Sequence, residues 1–125
     1  MNLRFLGTTS GGGQSPTLYS TDRDSYVVQG WIVTDPEILA TLSMTDEETC
    51  VEVPARLFKY LEQDGVKGRL AGQAPPIVHA TENGNYIVQG TRVHDAEALS
   101  QMRIPDHETC LEITKAHVLA LVEGN

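Results

Sequence analysis

The sequence has little cysteine and no long apolar run. Its two cysteines are too few for a disulfide scaffold, and their spacing fits no zinc or redox motif. No apolar stretch reaches the roughly 20 residues that a transmembrane helix needs. Residues 1–7 also lack the basic and apolar regions of a secretory signal. We therefore expect a cytoplasmic protein with reduced thiols and no membrane contact.

Basic residues are scarce as well, and this limits the partners that we expect. The chain has 9 lysines and arginines against 17 aspartates and glutamates, which gives a net charge of −8 and a pI of about 4.8. Such a chain repels phosphate backbones and anionic lipids. We expect no direct binding to nucleic acid, and a protein partner would need a basic surface.

Signatures of catalysis and of metal binding are also lacking. Acidic residues such as Asp22 and Asp24 are not paired with a nucleophile or a histidine base. His107 and Cys110 lie three residues apart, but two ligands do not make a zinc site. The Gly11-Gly12-Gly13 run is not followed by the lysine of a phosphate loop. We predict no catalytic residues, no metal and no cofactor.

The most informative feature is an internal repeat at an offset of 60 residues. Residues 15–62 align without a gap on residues 75–122, and 16 of the 48 positions are identical. The match is clearest where Tyr26-Val27-Val28-Gln29-Gly30 aligns with Tyr86-Ile87-Val88-Gln89-Gly90. This pattern predicts a tandem duplication of one structural unit.

Each repeat has the sequence signals of a β-β-α-β-α unit. Asn83-Gly84 between apolar runs predicts a hairpin turn. Asp35 and Asp95 are placed to cap the first turn of a short helix. Alternation over residues 49–53 and 109–113 predicts the third strand of each unit. The expected fold is α+β, with two units related by an approximate internal two-fold axis.

The two units are expected to form one globular domain over residues 1–125. A single unit has only about 50 residues, which is marginal for independent folding. The glycine-rich segment 63–74 has the composition of a surface connector between the units. We therefore predict that the units share one core.

Two pairs of residues occupy matching positions in the repeats. Gln29 and Gln89 each precede a mid-strand glycine, where a bulge or a close backbone approach is common. They are either amides that bond the bulged backbone or a polar pair that binds a ligand at the two-fold axis. Cys50 and Cys110 also match, and we expect them to be buried free thiols rather than a disulfide or metal pair.

Apolar residues that only the first repeat has are candidates for a binding surface. Trp31 and Ile32 align with threonine and arginine, and Tyr60 aligns with alanine. An aromatic that the shared fold does not require can serve a contact of one unit alone. We therefore take Trp31, Ile32 and Tyr60 as candidate partner-binding residues, with an asymmetric core as the alternative.

A family resemblance is carried by three short motifs. They are Ser10-Gly11-Gly12-Gly13, then Thr34-Asp35-Pro36, then Val51-Glu52-Val53-Pro54-Ala55-Arg56-Leu57-Phe58. In this order they resemble the BldB-like actinobacterial proteins, a family of small acidic proteins of unknown function. The resemblance implies a regulatory protein that acts with a helix-turn-helix regulator, in a developmental or toxin-antitoxin-like pair.

Two functions remain open at this point. The first is a non-enzymatic interaction protein that binds another protein, such as a DNA-binding regulator. The second is a small-molecule-binding or enzymatic domain with a pocket at the junction of the repeats. A homodimer is compatible with either function.

Overall fold

Most of the chain forms an antiparallel β-sheet with short helices attached to it. The computed structural model describes residues 1–9, 16–70 and 76–123. The elements are β1 (Leu3–Thr8), β2 (Thr17–Thr21), β3 (Ser25–Ile32), α1 (Pro36–Thr41), β4 (Glu48–Pro54), a 3₁₀ helix (Ala55–Asp64), β5 (Arg69–Leu70), β6 (Ile77–Ala80), β7 (Asn85–Arg92), α2 (Ala96–Ser100), β8 (Glu108–Thr114), α3 (Lys115–Leu121) and β9 (Val122–Glu123). The predicted α+β class is confirmed.

The four long strands pair in a closed circuit. β3 pairs with β8 along its length, and β4 pairs with β7 in the same way. At their ends β3 also pairs with β4, and β7 pairs with β8. β1 and β2 extend the sheet beside β3, and β6 lies beside β7. The third strand of each predicted repeat is therefore paired mainly with the other repeat.

The core lies on the inner face of this circuit. Val28 is the register partner of Leu111, and Val51 is the partner of Val88. All four side chains are fully buried in one apolar cluster. Because side chains alternate along a strand, the neighbouring positions point to the opposite face. The apolar core is therefore built from strands of both predicted repeats.

Glycines in mid-strand allow two strands to approach closely. A Cβ at Gly30 would overlap Val53 and the backbone oxygen of Glu52. A Cβ at Gly90 would overlap the backbone oxygen of Glu112. The pairings around both glycines run without a register shift. Of the two sequence alternatives, close approach is therefore correct and a bulge is not.

The short helices begin as the sequence predicts. Asp35 caps α1 by accepting a hydrogen bond from Glu37 N–H, and Pro36 occupies the first turn. Asp95 caps α2 by accepting from Ala98 N–H at 2.9 Å. None of the helices in the described part of the chain has the length and apolar character needed to span a lipid bilayer.

Strand β1 was not anticipated from the sequence. It pairs with β2 across a register shift between Phe5 and Gly7. Tyr60 of the 3₁₀ helix packs its ring directly on Gly7, where any Cβ would collide. Its hydroxyl donates to the backbone oxygen of Thr8 at 3.1 Å. β1 is thus held by its pairing with β2 and by the ring of Tyr60, which packs against it.

The predicted connector is more structured than its glycines suggest. Residues 63 and 64 complete the 3₁₀ helix, and β5 pairs with β9. Asp64 accepts from Tyr26 Oη at 2.6 Å and forms ion pairs with Arg4 and Lys115. Residues 71–74 of the connector lie outside the described residues, as do the Gly11-Gly12-Gly13 run and the first residue of each repeat, at positions 15 and 75.

Candidate functional site

Trp31 lies on the outer face of the sheet, near the end of β3. It alternates with the inward-facing Val28, and the regular pairing of Gly30 with Thr109 preserves this alternation. The Trp31 side chain is half-buried and belongs to neither apolar cluster of the described residues. Ile32 follows at the strand end and is 44% exposed. Both residues therefore remain available for contact with a partner.

Tyr60 has a different position from the other two candidates. Its half-buried ring packs against the main core cluster, and its hydroxyl holds β1 through Thr8. These contacts account for an aromatic at this position without a partner. The matching position 120 is alanine. Within the described residues no strand equivalent to β1 packs against α3, so an aromatic ring is not needed there.

Gln29 belongs to a buried polar network that joins β3 to β8. Gln29 is only 1% exposed, and its side-chain amide donates a hydrogen bond to Glu108 Oε1 at 2.7 Å. The same nitrogen donates to the backbone oxygen of Arg103 at 2.8 Å. Glu108 Oε2 is buried without a hydrogen-bond partner among the described atoms, and His107 Nε2 lies 3.7 Å from it.

Gln89 makes the corresponding contacts on the other side of the molecule. Its amide nitrogen lies 3.3 Å from Glu48 Oε2 and 3.3 Å from the backbone oxygen of Ser43. Hydrogen bonds from Thr45 N–H and from Gln89 hold the pKa of the Glu48 carboxyl below its usual range. Each glutamine therefore ties a strand to the loop before the third strand of the other repeat. Neither amide bonds a bulged backbone.

The two cysteines are buried and free, as predicted. Cys110 is the register partner of Gln29, and Cys50 is the partner of Gln89. Burial raises the pKa of the Cys110 thiol to about 11 and raises that of Cys50 as well. Thiols with raised pKa values are poor nucleophiles at neutral pH. Neither thiol is therefore activated as a nucleophile at neutral pH.

A wide groove lies between α1 and the turn that joins β6 to β7. Its volume is about 700 Å³. We call it the acidic groove because four of its residues are carboxylates and only a histidine opposes them. It is lined by Asp35, Glu37, Ile38, Thr41, Glu52, His79, Thr81, Glu82 and Asn83.

Two carboxylates of the acidic groove lack cationic partners within the described part of the chain. Asp35 only caps its own helix, and the Glu37 side chain forms no hydrogen bond or ion pair with a described residue. Glu52 accepts a hydrogen bond from Asn85 Nδ2 at 2.7 Å. Glu52 is also the register partner of Trp31, so the two side chains share one face of the sheet. Trp31 therefore flanks the acidic groove.

Among the smaller pockets within the described residues, two bear on the small-molecule alternative. One has a volume of about 280 Å³ and lies against Phe58 and Tyr86, with Arg56 and Lys59 at its rim. The other lies at the junction of the repeats, between Glu48, Gln89 and His117, and measures only about 170 Å³. Ligand pockets usually have roughly 300–1,000 Å³. This junction pocket is below that range, whereas the acidic groove, which is also lined by residues of both predicted repeats, falls within it.

The acidic groove was not found by sequence reasoning. In the sequence Asp35 is predicted only to cap a helix, and no motif connects it with Glu37 or His79. Within the described ranges no group of three or more histidine, cysteine or acidic side chains is placed to hold a metal ion.

Comparisons with known proteins give no relative. No family model, no curated protein and no solved structure matches this chain.

Proposed function

We propose that this chain is a non-enzymatic cytoplasmic interaction protein, built as a tandem duplication, which binds a protein partner with a basic surface. A helix-turn-helix DNA-binding regulator, in a developmental or toxin-antitoxin-like pair, is the partner that the BldB-like resemblance implies. The observation that carries the proposal is the acidic groove flanked by Trp31. A half-buried tryptophan beside a groove lined by carboxylates combines an aromatic anchor with charge that selects a cationic partner.

The proposed duplication is supported by hydrogen bonds that recur at an offset of 60 residues. Gln29 with Glu108 and Arg103 corresponds to Gln89 with Glu48 and Ser43. The same correspondence relates two further pairs of contacts. These are Ser25 to Glu112 with Asn85 to Glu52, and Lys115 N–H to Asp24 O with Ala55 N–H to Gly84 O.

The polar groups of the interior support a binding role over a catalytic one. Gln29 and Glu108 bond each other, and the thiols of Cys50 and Cys110 are buried and protonated. These groups stabilise strand pairing, and none of them lines the pockets described above. Asp35 and Glu37, which have no cationic partner among the described residues, are exposed on the outer surface, where a macromolecule can reach them.

The test is to purify the tagged chain from its native host and to measure how firmly a partner is retained as salt is raised. A retained protein with a basic surface, released between roughly 0.1 and 0.5 M salt, is the expected result because exposed charge pairs are screened over this range. Recovery of the chain alone at low salt, from cells that express it at native level, would refute the proposal. Turnover of a small molecule by the pure chain would also refute it.

A further inference from the structure

The molecule already holds one extended segment between a strand and a short helix. β1 pairs with β2, and the chain at its start contacts α2 and the residues that flank this helix. The Met1 ammonium lies 2.7 Å from Glu97 Oε1 and 3.2 Å from Asp95 Oδ2. Leu3 N–H donates to Gln101 Oε1 at 2.9 Å, and Gln101 Nε2 donates to Met1 O at 3.0 Å. Sheet pairing and an ammonium site thus act together on one short segment.

The Met1 ammonium and the two carboxylates stabilise each other's charged forms. Hydrogen bonds to Glu97 and Asp95 raise the pKa of the Met1 ammonium, against the effect of its desolvation. The pKa of the Asp95 carboxyl is lowered by the Ala98 N–H and then by the same ammonium. Capping of α2 and capture of the ammonium are therefore compatible functions of one aspartate.

The acidic groove has the same two carboxylates at an offset of 60, but no segment of the described chain lies in it. Asp35 and Glu37 match Asp95 and Glu97, whereas Thr41, whose hydroxyl donates to Ile38 O, stands at the position of Gln101, which caps the end of α2. Thr81 matches Thr21, which is the register partner of Leu3. Within the described residues, β6 pairs only with β7, so its outer edge is open where β2 is covered by β1.

We propose that the acidic groove binds an extended segment of the partner protein, which adds as a strand to the outer edge of β6 and places a positive charge between Asp35 and Glu37. This inference rests on the proposed function, because it takes both the duplication and a protein partner from it. It deepens that function by naming the segment that is recognised: an extended peptide with a free amino terminus, or with lysine or arginine near its start.

Strand addition is a common way to bind a peptide, because backbone hydrogen bonds supply affinity and side chains supply selectivity. β6 has a register shift between Ile77 and His79. The shift belongs to the pairing of β6 with β7, on the side of β6 away from the proposed binding edge. Four carboxylates against His79 make the groove selective for a cationic segment.

A second copy of this chain fits the groove less well than a partner does. Its β1 would first have to leave β2, where it pairs at five positions of the register, Leu3, Arg4, Phe5, Gly7 and Thr8. It would also lose the contacts of Met1 with α2. Exchange between copies would therefore fill one groove by emptying another, with no gain in contacts.

The probe for the test is a synthetic peptide with the sequence of residues 1–8, since this sequence already occupies the matching site of the intact chain. Titration of the full chain by calorimetry should show one peptide per chain. Acetylation of the peptide amino terminus should weaken binding roughly five-fold, as expected for loss of exposed ion pairs. The double variant Asp35→Asn/Glu37→Gln should weaken the unmodified peptide by a similar factor and abolish the effect of acetylation.

The matched control is Glu62→Gln, an exposed carboxylate of the 3₁₀ helix outside the groove, which should leave binding unchanged. Three results would overturn the inference. The first is no binding at millimolar peptide, or equal binding by the double variant. The second is weakening by Asp95→Asn/Glu97→Gln alone, which would mean exchange into the α2 site. The third is a dimer of the free chain that the Asp35→Asn/Glu37→Gln variant dissolves, which would make a second copy the occupant.

The failure of this inference can be told apart from the failure of the proposed function. If a basic partner is retained equally well by the native chain and by Asp35→Asn/Glu37→Gln, the groove is not its site although the interaction function stands. If no partner is retained under any condition, the interaction function fails, and the peptide titration alone decides whether the groove binds cationic segments.

Discussion

Gln29 donates a hydrogen bond to Glu108 at 2.7 Å, and the Glu108 side chain is completely shielded from solvent. The bond joins β3 to β8, and therefore joins the two predicted repeats. A carboxyl group buried in this way depends on its donor, because solvent cannot replace a lost hydrogen bond. The matching pair, Gln89 and Glu48, lies nearer the surface with longer contacts of 3.3 Å.

This difference predicts unequal costs for two equivalent substitutions. Gln29→Ala should lower the free energy of unfolding by about 2–3 kcal/mol, since it leaves a buried acceptor without a donor. Gln89→Ala should cost less than about 1 kcal/mol, because water can reach Glu48. Chemical denaturation of the two variants side by side provides the measurement. Equal losses would show that burial of Glu108 does not govern the contribution of the amide.

The raised pKa of Cys110 predicts a loss of stability in alkaline solution. Below the ordinary thiol pKa of 9.0, both folded and unfolded chains keep the proton, and the thiol makes no pH-dependent contribution to stability. Between 9.0 and about 11 the unfolded chain loses the proton while the folded chain retains it. Stability therefore falls across this window, by roughly 2–3 kcal/mol in total, and this loss is complete above the folded pKa.

Tyrosine and lysine also titrate in that range, so Cys110→Ala is the control for the alkaline prediction. At neutral pH the free energy of unfolding of the variant should be lower than that of the native chain by a constant amount. From pH 9 upward this difference in free energy should become smaller. A gap that stays constant to pH 11 would contradict the assignment of this pH dependence to Cys110.

The pairing of strands predicts that half of the chain cannot fold as a monomer. β3 pairs with β8 from Ser25 to Trp31, and β4 pairs with β7 from Glu48 to Pro54. Residues 1–66 alone would therefore expose two unpaired strand edges and half of the core. We expect this fragment to be unfolded or to dimerise, which sedimentation and circular dichroism will distinguish. A folded monomer of residues 1–66 would exclude a shared core.

Local patterns in the sequence predicted the elements well. The third strands, expected at residues 49–53 and 109–113, are present as β4 and β8 with one more residue at each end. The caps at Asp35 and Asp95 are present because a short acceptor before a helix satisfies free N–H groups wherever it occurs. These features depend on neighbours in sequence, so a single chain reveals them.

Features that depend on distant parts of the chain could not be predicted in this way. β1 carries no turn signal or regular alternation, and it is held by Tyr60 and α2 from elsewhere in the chain. The pairing of β3 with β8 joins segments about 80 residues apart, and no local pattern encodes that register. β2 pairs with β1 along its outer edge, whereas within the described residues no strand pairs with the outer edge of β6, beside which the acidic groove lies. Only the assembled sheet makes this difference visible.

The position of Trp31 predicts separate effects on binding and on stability. Because its ring is half-buried on the outer face, Trp31→Ala should cost less than about 1.5 kcal/mol of folding free energy, below the loss typical of a core aromatic. If Trp31 anchors the partner beside the acidic groove, the same change should reduce partner affinity by about 2 kcal/mol or more.

Tyr60→Phe serves as the matched variant, because it removes only the hydroxyl that bonds Thr8. It should lower stability by about 1 kcal/mol and leave partner affinity unchanged. Thermal melts and partner retention of both variants, measured together, decide the matter: a large fall in melting temperature for Trp31→Ala would identify Trp31 as a structural aromatic, and unaltered retention would remove it from the binding surface.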